Sequence, residues 1–218
     1  MPLIPTVNPH VASVTLFWLP LGAGGRFVGW NGRRYEALAA RHEHRARVEL
    51  YHSALEVSVD GTRFTIEMTP VVGSKAPAEA VVQHGPVGSR WLGRWPLFRY
   101  EVRRWRDGTI PDVADAVGSP LSVSHDPDSA RRLLDLVPQV PALTWGRDES
   151  RVGEMWNSNS ITAWLLARAD EDVASIAPPA GGRAPGWRAG LIVAADHVPR
   201  PDVSEPGVPN AYPRSARV

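Results

Sequence analysis

A serine at the head of a helix can act as a nucleophile, and Ser158 has that placement. In Ser158-Asn-Ser-Ile-Thr-Ala-Trp-Leu-Leu the apolar residues Ile161, Trp164 and Leu165 follow i, i+3, i+4, the spacing of a helix with one buried face. Asn157 or Ser158 would cap it, and Arg168, at i+7, would cover the face only with its aliphatic stem. The positive end of a helix and its unpaired N–H groups favour an oxyanion, so a hydroxyl there suits attack on a carbonyl. It still needs an imidazole to take its proton and a third polar group to orient the imidazole. His52 and Glu67 would supply these.

A hairpin must hold that pair. Tyr51 to Val59 and Thr62 to Met68 flank Asp60-Gly61, a two-residue turn in which both residues must accept positive φ. With Val59 facing Thr62, the register puts Leu55, Val57, Val59, Phe64, Ile66 and Met68 on one face. The opposite face carries His52, Ala54, Glu56 and Ser58 with Arg63, Thr65, Glu67 and Thr69, and Glu67 lies diagonal to His52.

Tyr51-His52-Ser53-Ala54-Leu55 opening a strand, a hairpin after it, and Trp156-Asn157-Ser158-Asn159-Ser160-Ile161 opening a later helix resemble the permuted papain-like hydrolases. In the lecithin retinol acyltransferase-like and PPPDE-type branches, related to the NlpC group, a histidine begins a strand, a polar residue sits on the next, and Asn-Cys-Asn leads into an apolar helix. The resemblance covers roughly residues 51 to 167. It implies an α+β fold, an antiparallel sheet packed against a few helices in circularly permuted papain-like order. It also implies His52 as base, Glu67 as its orienting partner and Ser158 at the nucleophile position, with Ser160 as a second candidate. The implied activity is cofactor-independent hydrolysis or acyl transfer on an amide or ester, with a small molecule or peptide as substrate. Trp156, Asn157, Trp91 and Arg90 are the candidate substrate-binding residues.

The chain departs from that pattern in having serine where the family has cysteine. A thiol near pKa 8.5 is partly ionised at neutral pH, whereas a hydroxyl depends wholly on its base. Three readings stay open: a working serine enzyme, a relic that only binds a small molecule or peptide, and a cysteine site converted to serine. Simpler roles also stand, since Asn and Ser favour helix N-caps, a strand histidine is often satisfied by backbone, and a strand glutamate is often solvated.

Other motifs carry less. Arg41-His-Glu-His-Arg45 spaces its imidazoles at i, i+2, which does not put both on one helix face, so no metal site is proposed. Gly22-Ala-Gly-Gly lacks the third glycine of a dinucleotide fingerprint, and neither a P-loop nor a Gly-x-Ser-x-Gly elbow occurs, so no cofactor is implied. Arg90, Trp91, Arg94 and Trp95, with Arg99, Arg103, Arg104 and Trp105, interleave basic and aromatic residues as single-strand-binding platforms do. A net charge of +1 supplies no global field to attract nucleic acid or anionic lipid, and nucleic acid is the less favoured reading of the stripe.

Apolar residues at 43% and charged residues at 22% describe an ordinary soluble domain, large enough to bury a core without disulfides; there is no cysteine. The start, Met-Pro-Leu-Ile-Pro, has no basic region, prolines interrupt it, and no stretch approaches a membrane span. The expectation is therefore a cytoplasmic protein. Residues 1–12 read as an N-terminal extension, 13–198 as one α+β domain, and 199–218 as a flexible proline-rich tail. Within the domain, a first strand runs from Val14 and a helix over Arg33 to His42. Strands follow at Ala80 to Gln83 and Phe98 to Trp105, a helix runs from Asp128 capped by Asp126 or Asp128, and a last strand lies at Gly190 to Ala195.

Overall fold

The structure, a computed structural model, describes residues 12–21, 36, 40–41, 44–71, 77–110, 112–118 and 120–196. The expected N-terminal extension and proline-rich tail lie almost entirely outside these residues. So does the expected helix from Arg33 to His42, apart from helical Glu36, Ala40 and Arg41.

Alternation of apolar and polar residues builds a seven-stranded sheet. Its strands are β1 (Ser13–Pro20), β2 (Glu49–Val59), β3 (Thr62–Pro70), β4 (Val81–Pro86), β5 (Arg99–Arg106), β6 (Leu121–Ser124) and β7 (Gly182–Arg183). The order is β4-β5-β3-β2-β1-β6, antiparallel throughout, while the two-residue β7 pairs with β2 in parallel. The hairpin has the expected register, Val59 opposite Thr62 through Leu55 opposite Ile66, with Asp60 and Gly61 both at positive φ. Arg131 clasps the turn by donating to both Asp60 oxygens.

Three helices complete the described fold: α1 (Pro127–Leu136), α2 (Ser158–Arg168) and α3 (Trp187–Asp196). Asp126 caps α1 by accepting from the N–H groups of Asp128 and Ser129. Leu55, Val57 and Ile66 of the hairpin, Leu133 of α1, Ile161 and Leu165 of α2 and Val193 of α3 share one core on the face that the hairpin register marks as apolar. A smaller cluster, Phe17, Leu19, Ala54 and Ile110, covers part of the other face.

The run from Gly190 is a helix, contrary to the strand expected there. A six-residue apolar run cannot by itself separate a buried strand from a buried helix. Burial of Ala189, Gly190, Val193 and Ala194 has helical spacing, and Gly190 lets α3 lie against the first turn of α2. A Cβ on Gly190 would stand 2.1 Å from the Ser160 carbonyl oxygen and 2.9 Å from Ala163 Cβ. Gly190→Ala should therefore destabilise by about 1–3 kcal/mol in urea unfolding. The better helix propensity of alanine, worth about 1 kcal/mol, acts in the opposite direction. A neutral or stabilising result would show that the two helices are not in this contact.

Candidate functional site

The tip of α2 enters a gap in the sheet. Leu50 O accepts from Leu21 N on the β1 side, so by strand alternation the next carbonyl, Tyr51 O, faces the other way. On that side β3 pairs with β2 only from Leu55, and β7 pairs only at Glu49 and Leu50. Asn159 Nδ2 fills the space between them, donating to Tyr51 O at 2.9 Å. The start of α2 is thereby fixed to the residue immediately before His52.

Most polar groups of the Asn157–Ser160 run serve this junction. Asn157 Oδ1 accepts from the N–H groups of Asn159 and Ser160, and Ser160 Oγ accepts from Asn157 N, closing a capping box. The Ser160 hydroxyl also donates to Gly186 O at 2.8 Å. Asn157 and Asn159 both donate to Pro185 O. Glu154 accepts from the N–H groups of Gly186 and Arg188 at the start of α3. Gly186 has φ +90°, and a Cβ there would lie 2.4 Å from Asn157 Oδ1, so only glycine fits. Ser158, half-buried at the first helical position, is the exception. Its hydroxyl makes no hydrogen bond among the described residues, and its N–H, in the first turn, has no intrahelical acceptor.

His52 lies on the stretch of β2 that flanks the gap, opposite Leu19 of β1. Burial alone pushes its imidazole down to about 4, so the ring is neutral near pH 7. No hydrogen bond joins it to Ser158 or to Glu67 among the described residues. Glu67 is not its orienting partner. Residue 67 stands directly across the β3–β5 ladder from Arg103, whose Nη1 donates to it at 3.1 Å, whereas His52 lies beyond the end of the β2–β3 ladder. Arg103 also grips Glu101 through Nη2 and Nε. Burial raises the Glu67 carboxyl above its usual range, against the opposing pull of Arg103.

The expected substrate-binding residues separate. Trp156 is buried in the main core and cannot line a groove. Asn157 is committed to the cap. Arg90 is exposed and forms a bidentate pair with Glu149, which with Thr144 holds that carboxyl down at about 2. Trp91 is exposed beside it, and neither residue has a hydrogen bond or ring contact to Ser158 or His52. Sequence reading missed Asn159, Pro185 and Gly186. The Pro-Gly pair was the available signal, but nothing local says that its carbonyls meet α2.

The basic and aromatic stripe is largely spent within the fold. Arg103 pairs with two carboxylates, Arg104 donates to Leu134 O, and Arg99 donates to Gly93 O. Among the described residues no group of three or more His, Asp and Glu side chains is placed to hold a metal ion, and no helix is long and apolar enough to cross a membrane. Compared with protein-family models, curated proteins and solved structures, the chain matches none.

Proposed function

We propose that the chain is a cofactor-independent hydrolase or acyltransferase acting on an amide or ester, on a permuted papain-like arrangement, with Ser158 as nucleophile and His52 as base. One observation carries this reading. In Asn157-Ser158-Asn159-Ser160 the other three polar side chains hold the helix tip in the gap, and Ser158 alone has no structural bond, at a helix N-terminus tied through Asn159 to the carbonyl of Tyr51, the residue before His52.

In the reaction, Ser158 Oγ would attack the carbonyl carbon as its proton passes to the neutral His52 ring. The oxyanion would be met by the Ser158 N–H and the positive end of α2. His52 would return the proton to the leaving group, leaving an acyl-Ser158 that water or an acceptor hydroxyl resolves with His52 again as base. The pair works as a dyad, because Glu67 is engaged by Arg103.

Labelling by a fluorophosphonate probe tests the reading. Ser158→Ala should abolish it, His52→Ala should slow it by at least about a thousandfold, and Glu67→Gln should leave it within about tenfold, since Glu67 does not orient the base. Loss of labelling in Glu67→Gln with the fold intact would restore the triad. A second reading, a silent domain that binds a small molecule or peptide, is favoured by the missing hydrogen bond between Ser158 and His52. Absence of labelling in the wild type would support it.

A further inference from the structure

The loop between β4 and β5 has no part in the Ser158 proposal. Three of the four most exposed large apolar side chains among the described residues stand on it: Trp91 (58% exposed), Trp95 (44%) and Leu97 (63%). Two short 3₁₀ turns, Leu92–Arg94 and Pro96–Phe98, present them. The two indoles meet edge to face at 4.9 Å, and the Arg94 guanidinium lies over both, 4.8 Å and 5.7 Å from the ring centroids.

Charge on this loop has one sign. Residues 85–100 include Arg90, Arg94 and Arg99 and no acidic residue. Arg90 is neutralised by Glu149 and Arg99 is turned inward to Gly93 O and Arg94 O. No carboxylate among the described residues pairs with Arg94, so the cation on the aromatic tip is the one left for an external anion.

We propose that this tip docks on an anionic lipid surface, with Trp91, Trp95 and Leu97 entering the interfacial layer and Arg94 meeting lipid phosphates. Indoles favour the boundary between headgroups and acyl chains, and a basic residue beside them adds attraction to anionic lipid. Shape argues against a small aromatic ligand, which needs a concave seat that encloses it: Trp91, Trp95 and Leu97 all project into solvent. One face of each indole is already covered by Arg94, which disfavours base stacking.

Co-sedimentation of the full chain with vesicles tests this, using phosphatidylcholine alone and phosphatidylcholine mixed with phosphatidylglycerol. Wild type should partition onto the mixed vesicles, less onto the neutral ones, and less at high salt. Trp91→Ser with Trp95→Ser should cut partitioning at least tenfold, and Arg94→Gln about fivefold on mixed vesicles only. All three side chains are exposed, so thermal unfolding should be unchanged; Leu97→Ser decides the matter if the double variant misfolds, and it too should weaken binding. The proposal is overturned if wild type ignores both vesicle types, or binds both equally, or if the variants bind as wild type does. It is also overturned if the same variants instead abolish binding to oligo(dT) or a concentration-dependent self-association while vesicles have no effect.

Discussion

Arg103→Ala should cost about 3–5 kcal/mol in urea unfolding at neutral pH, enough to bring a domain of ordinary stability close to unfolding. Arg103 is 4% exposed and holds Glu67 from β3 and Glu101 from its own strand. Removing the guanidinium leaves the mostly buried Glu67 and Glu101 carboxylates without the charge that bridges them, with the exposed His84 ring, 3.9 Å from Glu101, near one of them. Their repulsion and desolvation, more than the lost attraction, set the size of the effect. The same argument predicts a rescue: in the Arg103→Ala background, Glu67→Gln with Glu101→Gln should recover much of the loss. A cost below about 1 kcal/mol, or no rescue, would mean that water reaches this face of the sheet freely.

The second large effect is on stability against pH. The His52 imidazole has an ordinary value near 6.5 when unfolded and is pushed down to about 4 by burial in the fold. Below pH 6.5 the unfolded chain takes up a proton that the folded chain refuses until about pH 4. Stability from this group is therefore fully present above pH 6.5 and falls away as pH drops toward 4. The full depression corresponds to on the order of 3 kcal/mol, an upper figure for a half-buried ring. Glu67, raised by burial, has the opposite sign, so the diagnostic quantity is the difference between wild type and His52→Gln. Wild type should lose more stability than the variant between pH 6.5 and 4, and parallel curves would show that the ring is solvated. If His52 is the base, the labelling rate should also break near pH 4 rather than near 6.5.

These expectations move Glu67 from the site to the scaffold, and the reason is instructive. Register placed Glu67 diagonal to His52, but the β2–β3 ladder ends at Leu55 opposite Ile66, short of both residues. The partner of a charged strand residue, however, is chosen by whichever strand lies on its other side. Here β5 sets Arg103 directly opposite, with a full charge at hydrogen-bond distance, while the β2–β3 ladder never reaches His52. Nothing between residues 51 and 69 identifies β5 as that neighbour.

What the amino-acid order determined by itself is what short-range physics controls. The Asp60-Gly61 turn set the hairpin register, because both residues accept positive φ and a one-residue slip would turn Leu55, Val57 and Ile66 toward the wrong face. Asp126 before Pro127, and Asn157 before an i, i+3, i+4 apolar pattern, set two helix starts through capping bonds that span two or three residues. Tertiary structure alone decided the rest: that the Gly190 run is a helix seated on Ser160, that Trp156 is core, and that Asn159 clamps Tyr51 across 108 residues of chain. Each depends on which distant segments of the chain come together once the sheet has formed. Ser158 stands at the meeting of the two: helix spacing put a hydroxyl at the first turn, and the gap between β3 and β7 let Asn159 tie that turn to the Tyr51 carbonyl.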